Sequence, residues 1–91
     1  MLLVNMQITL NLPYANTIKG KRKIVSSIKE RLKNHNLSVL DISNSYTKEA
    51  EIAVAFLALN NKEVSKKIDT IEYILNKYIG EIEYFIDYEI L

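Results

Sequence analysis

The sequence predicts a small α+β domain, a ferredoxin-like βαββαβ two-layer sandwich in which two helices cover one face of a four-stranded antiparallel sheet. Three observations carry this. The first and last segments alternate apolar and polar residues with period two, two intervening segments each carry one apolar stripe at helical spacing, and an apolar run sits between those helices. Ninety-one residues suffice for one core and leave no room for a second, so residues 1–91 are read as a single domain.

From Leu2 to Leu12 every even position is apolar, while Asn5, Gln7, Thr9 and Asn11 are polar, as in a strand with one wet face. Pro13 closes it, because proline has no N–H to give a sheet ladder. Asn16 or Thr17 can then cap a helix whose apolar residues Ile18, Ile24, Val25, Ile28 and Leu32 share one side, ending near Asn34, His35 and Asn36. A second strand is expected over 37–42. Its phase slips between Val39 and Leu40, which predicts a bulge. Polar residues 43–48 make a hairpin loop.

The run from Ile52 to Leu59 is apolar on both faces, as in a central strand. Asn60 with Glu63 three residues later forms a capping-box variant for the second helix, whose stripe is Val64, Ile68, Ile71, Leu75 and Tyr78, widened by Ile74 and Ile79. Gly80 is the expected helix stop. Ile82, Tyr84, Ile86, Tyr88 and Ile90 then alternate with Glu81, Glu83, Asp87 and Glu89 in the last strand. Right-handed crossovers place the first and third strands in the centre of the sheet.

Composition excludes several function classes. Hydrophobic residues make up 48% and charged residues 25%, an ordinary globular balance. The absence of cysteine removes disulfides, thiol nucleophiles and cysteine-held metals. The N-terminal segment has no basic region before its apolar residues and is broken at Asn5, so no signal peptide or membrane span is expected and the chain is read as cytoplasmic.

The net charge of +1 conceals a strong asymmetry. Between Tyr14 and Asn36 stand Lys19, Lys21, Arg22, Lys23, Lys29, Arg31 and Lys33 against Glu30 alone, a balance of +6, whereas Glu81, Glu83, Asp87 and Glu89 give −4 from Gly80 to Leu91.

Tested singly, the motifs of familiar chemistry fail. Gly20-Lys21-Arg22 lacks the earlier glycine and the following Ser or Thr of a phosphate loop, and there is no G-x-G-x-x-G. His35 is the only histidine and stands in a polar turn, so no triad or metal site is assigned to it. The acids of the last strand are read as a solvated face rather than a glycosidase pair. Pro13-Tyr14-Ala15-Asn16 has no glycine pattern of an acylphosphatase anion loop. RNA-recognition domains of this topology stack bases on aromatics of the first and third strands, where this chain offers only Phe56. The expectation is therefore no catalytic residue, no metal and no cofactor.

What remains is the first helix. On a helical wheel Lys19, Lys23, Ser26, Glu30 and Lys33 project outward, Arg22 and Lys29 flank the apolar stripe, and Lys21 falls inside it, where an ammonium must snorkel or meet a partner. Thr17, Lys19, Lys21, Arg22, Lys23 and Lys29 are the candidate nucleic-acid or anion-binding residues, with the helix N-terminus as their focus. The competing reading is a solvated basic helix that pairs with the acidic last strand or with a partner subunit.

The run Thr17-Ile18-Lys19-Gly20-Lys21-Arg22, followed by Lys29-Glu30-Arg31-Leu32, resembles the S-L-K-E-K-R…L-K-x-R-L signature of the YlxP-like bacterial family. The likeness continues through Asn36-Leu37-Ser38-Val39 and Ala50-Glu51-Ile52-Ala53-Val54-Ala55 to Ile90-Leu91. It implies a ferredoxin-like fold and genes placed beside translation-initiation and ribosome-maturation factors, with no reaction assigned. Thr17, Lys19, Lys21 and Arg22 carry over directly. Gly20 replaces the family's acid, a loss of about 0.5–1 kcal/mol at the helix start, and Ser43-Asn44-Ser45-Tyr46 departs from the family's hairpin. The expected function is a non-enzymatic accessory factor contacting RNA or the ribosome. The alternative is a self-associating structural or ligand-sensing module that forms homodimers through its sheet, because the third strand is apolar on a face the helices cannot cover.

Overall fold

The computed structural model describes residues 1–13, 15–44, 48–79 and 83–91, with the side chains of Tyr78 and Ile79 set aside. In chain order the elements are β1 (Leu2–Asn11), α1 (Ile18–Lys33), β2 (Ser38–Asp41), β3 (Glu49–Ala58), α2 (Asn61–Ile79) and β4 (Tyr84–Ile90). The sheet runs β2-β3-β1-β4 and all three pairings are antiparallel, so the βαββαβ sandwich is the observed architecture.

Alternation decides which face of the sheet is dry. Val4, Met6, Ile8 and Leu10 of β1 are buried beside Phe56, Val54, Ile52 and Ala50 of β3, their register partners. Against them pack Val25, Ile28 and Leu32 of α1 and Val64, Ile71, Ile74 and Leu75 of α2, forming one core between sheet and helices. Burying an aliphatic side chain of this size contributes about 1.5–3 kcal/mol.

Four sequence expectations need correction. The apolar run of β3 hid its own phase: pairing with Val4 turns Phe56 into the core, so it is no base-stacking aromatic, and Ala53, Ala55 and Leu57 take the open face. The second strand is shorter than expected and carries no bulge. Ser38 to Asp41 pair without interruption with Ala55 to Ile52, and Leu40 points to the open face, 62% exposed. Ile18 is exposed rather than on the buried stripe, because it lies in the first turn and roughly 50° from the line of Lys21, Val25, Ile28 and Leu32 at 100° per residue. Finally, the acids of β4 cannot meet the basic helix of their own chain: Asp87 and Glu89 pair with Gln7 and Asn5 on the open face, and the sheet lies between. The expected helix stop at Gly80, the strand residues Glu81 and Ile82, and the side chains of Tyr78 and Ile79 lie outside the described residues.

Both helices begin on the caps their sequences announce. Thr17 has extended dihedrals and its hydroxyl accepts from the Gly20 N–H at 3.0 Å. Asn60 Oδ1 accepts from the Glu63 N–H at 3.0 Å, while Glu63 Oε1 reaches back to the Leu59 N–H at 2.9 Å. α1 ends through Asn36, whose φ of 59° is one that asparagine tolerates better than most residues. Among the described residues no helix is long and apolar enough to cross a membrane.

Candidate nucleic-acid interface

The charge distribution follows from the architecture. None of the four strands contains a lysine or arginine, whereas α1 holds seven and α2 four of the chain's twelve. The open face of the sheet carries Glu49, Glu51, Asp87 and Glu89. The helical layer is therefore the basic side of the molecule and the open sheet face the acidic side.

Within the helical layer the predicted residues separate into three groups. Lys19, Arg22 and Lys23 are exposed over the first turns of α1, and Lys29 is half-buried further along. Thr17 is engaged as the cap, which leaves the remaining first-turn amides and the positive end of the helix dipole to favour an anion.

Lys21 is different: only 3% of it is exposed, and its Nζ donates to the carbonyls of Asn44 at 2.8 Å and Glu49 at 3.3 Å. Its ammonium thus joins α1 to both ends of the β2–β3 connection. A charged donor inside a core is tolerable only when acceptors replace water, and these carbonyls do so.

The hairpin that Lys21 holds has its own fastening. Ile42 N–H donates to the Glu51 carbonyl at 2.9 Å, and Ser43 Oγ accepts from the Glu51 N–H at 2.9 Å, so a side chain extends the ladder where the backbone leaves it. Asp41 Oδ1 accepts from the Ser43 N–H at 2.9 Å. Partial burial pushes the Asp41 carboxyl upward, but the Ser43 hydrogen bonds and the charges of Lys29 and Lys21 outweigh it and hold it below the usual aspartate value.

Sequence reading missed a groove between the two helices. Arg31, Asn34, His35, Tyr73, Ile74 and Lys77 line a depression of about 450 Å³. Tyr73 is 62% exposed, with Lys77 Nζ 5.5 Å from its ring centroid and 3.2 Å from its hydroxyl. The only trace in the sequence is an aromatic lying off the apolar stripe of α2, because the other wall comes from α1. No three His, Cys, Asp or Glu residues among those described are grouped to hold a metal.

Fold and charge together define a ferredoxin-like domain with a basic helical layer and an acidic open sheet. Residues 3–88 match the model of a family described as Protein of unknown function (DUF503), and the chain belongs to that family. Two solved structures are similar in fold. The de novo designed protein Foldit4 is 14% identical over 97% of this chain and 94% of its own, with a TM-score of 0.57. A second de novo design, LFR1 1 with ferredoxin fold, is 14% identical over 99% of this chain and 85% of its own, at 0.59. No curated protein shows significant similarity to the chain.

Proposed function

We propose that this protein is a non-enzymatic accessory factor that contacts RNA, with the ribosome as first target, through the basic face of α1. The observation that carries the reading is the sorting of charge by layer, with seven basic residues in α1 against one acid and no base in any strand. Phosphate backbones attract such a surface and release counterions on binding, so affinity falls steeply with salt. The acidic sheet, which in RNA-recognition domains would be the binding face, here repels RNA and orients the helices toward it. The resemblance to the YlxP-like family, with its gene neighbourhood among translation factors, supports the ribosome as target.

Filter binding of ribosomal RNA and of isolated subunits across a salt series tests the reading. Replacing Lys19, Arg22 and Lys23 together by alanine should weaken binding, and each phosphate contact removed should lower the slope of log affinity on log salt by about 0.7–0.9. Equal binding by wild type and variant, or none by either, overturns it. Lys21 is left intact because its ammonium anchors the hairpin.

The second reading, self-association, rests on β4. This edge strand offers seven residues with neither lysine nor proline, and Phe85, Tyr88 and Ile90 are exposed on it at 71%, 46% and 42%. An edge with neither lysine nor proline is open to another strand, and a second copy's β4 would lie antiparallel to it about a two-fold axis, with Asp87 and Glu89 of each copy on the open face. Light scattering that returns a monomer at every concentration overturns this reading.

A further inference from the structure

We infer that the groove between α1 and α2 is a site for one unpaired nucleotide of a single-stranded RNA, with Tyr73 as its stacking platform. The inference rests on the reading of α1 as an RNA surface and names the kind of RNA that surface takes.

The walls supply the groups such a ligand needs. Ile74, 8% exposed, gives an apolar floor, and most of the Tyr73 ring stands open to solvent above it. Lys77 donates to its hydroxyl at 3.2 Å with Nζ 5.5 Å from the ring centroid, so the ammonium sits at the hydroxyl end of the ring and leaves a face open to a base. Asn34 offers an amide donor and acceptor to a base edge, and Arg31 and Lys77 bring positive charge to the rim of the groove.

The groove also has a continuation. A neighbouring depression shares His35 and is lined by Lys66, Lys67, Thr70 and Glu63, so two further lysines and one carboxylate stand beside the groove. Lys67 already donates to the His35 carbonyl at 2.8 Å, which fixes the turn after α1 against α2 and gives the groove a rigid end. A lone aromatic in a narrow groove reads a base only if that base is unstacked. Paired RNA would meet the cations alone.

The test uses fluorescence anisotropy with the intact chain and two labelled probes, a twelve-nucleotide single-stranded RNA and a duplex of the same length. Tyr73→Ala should weaken the single strand about tenfold and leave the duplex unchanged, while Tyr73→Phe, which keeps the ring, should bind as wild type. The Lys19/Arg22/Lys23→Ala variant should weaken both probes. Since Tyr73 is a surface residue, circular dichroism melting should show all variants folded. If Tyr73→Ala binds the single strand as wild type while the α1 variant is weakened, the groove inference falls and the α1 reading stands. If Tyr73→Ala weakens both probes equally, the ring is not a base platform and the inference also falls. Wild type binding neither probe overturns both.

Discussion

Replacing Lys21 by methionine keeps the length of the stem and removes the ammonium that binds Asn44 and Glu49. Two opposing terms set the outcome. A hydrogen bond to a charged group contributes about 1.5–3 kcal/mol, and the 2.8 Å bond should lie inside that range with the 3.3 Å bond below it. Against this, the wild type has withdrawn a charge from water, a penalty the variant escapes. The two carbonyls belong to exposed residues and can be rehydrated, so the net loss should be about 1–2 kcal/mol, or roughly 5–15 °C in Tm for a domain of this size. Lys21→Ala also loses about three buried methylenes at roughly 0.8 kcal/mol each, bringing its loss to about 3.5–4.5 kcal/mol. Urea unfolding followed by circular dichroism gives both numbers. Hydrogen exchange adds the location: protection should drop at Glu49, Ala50 and Glu51 in Lys21→Met, while the β1–β3 ladder beyond them stays protected. A methionine variant within about 0.5 kcal/mol of wild type, with unchanged exchange at those amides, would refute the anchoring role.

Three further substitutions probe separate devices. Gly20→Ala should stabilise the fold by about 0.5–1 kcal/mol, since a helical glycine is replaced and the added Cβ meets only the exposed Thr17 Oγ1 at 3.3 Å; thermal denaturation showing a loss would mean that the cap cannot yield. Asp41→Asn keeps an acceptor for Ser43 but removes the charge. Because the folded carboxyl is held low, its stabilisation is present above about pH 4 and is lost as pH falls through the folded value, so the gap between wild type and variant should close in acid; a pH-independent gap in urea midpoints contradicts this. Asn60→Ala should lose about 1 kcal/mol at the start of α2, measured by the same unfolding curves, and no change would show that Glu63 caps alone.

How much of this was legible in the sequence depended on whether a feature is local. β1, α1 and α2 follow from periodicities that a single segment displays, and the caps at Thr17 and Asn60 from short-range chemistry. The inward aim of Lys21 was readable on a wheel, but its acceptors lie 23 and 28 residues away and only the fold brings them near. Phase was lost because the run from Ile52 to Leu59 is apolar on both sides; the signal lies just before it, where Glu49 and Glu51 share the parity of Leu57 and leave Phe56 inward, in agreement with its pairing with Val4. Leu40 misled for a related reason, because a short edge strand has few neighbours to enforce alternation. The groove beside Tyr73 was illegible because its walls belong to two helices that meet only in three dimensions.

The separation of charge by layer has a consequence that the total charge hides. Near +1, the molecule feels little net pull toward a polyanion at distances beyond the Debye length, about 8 Å at physiological salt. Close to the surface the two sides act in opposite senses: the helical layer attracts phosphate, and the carboxylates of the open sheet repel it. An approaching RNA would thus be sorted by orientation at short range more than gathered at long range. On the proposed reading the same asymmetry would keep β4, which lies at the edge of the acidic sheet, away from a bound RNA. The proposed pairing through that edge and the proposed RNA contact through α1 would therefore use different sides of one molecule, and a dimer joined at β4 would present two basic helical layers to a single ligand.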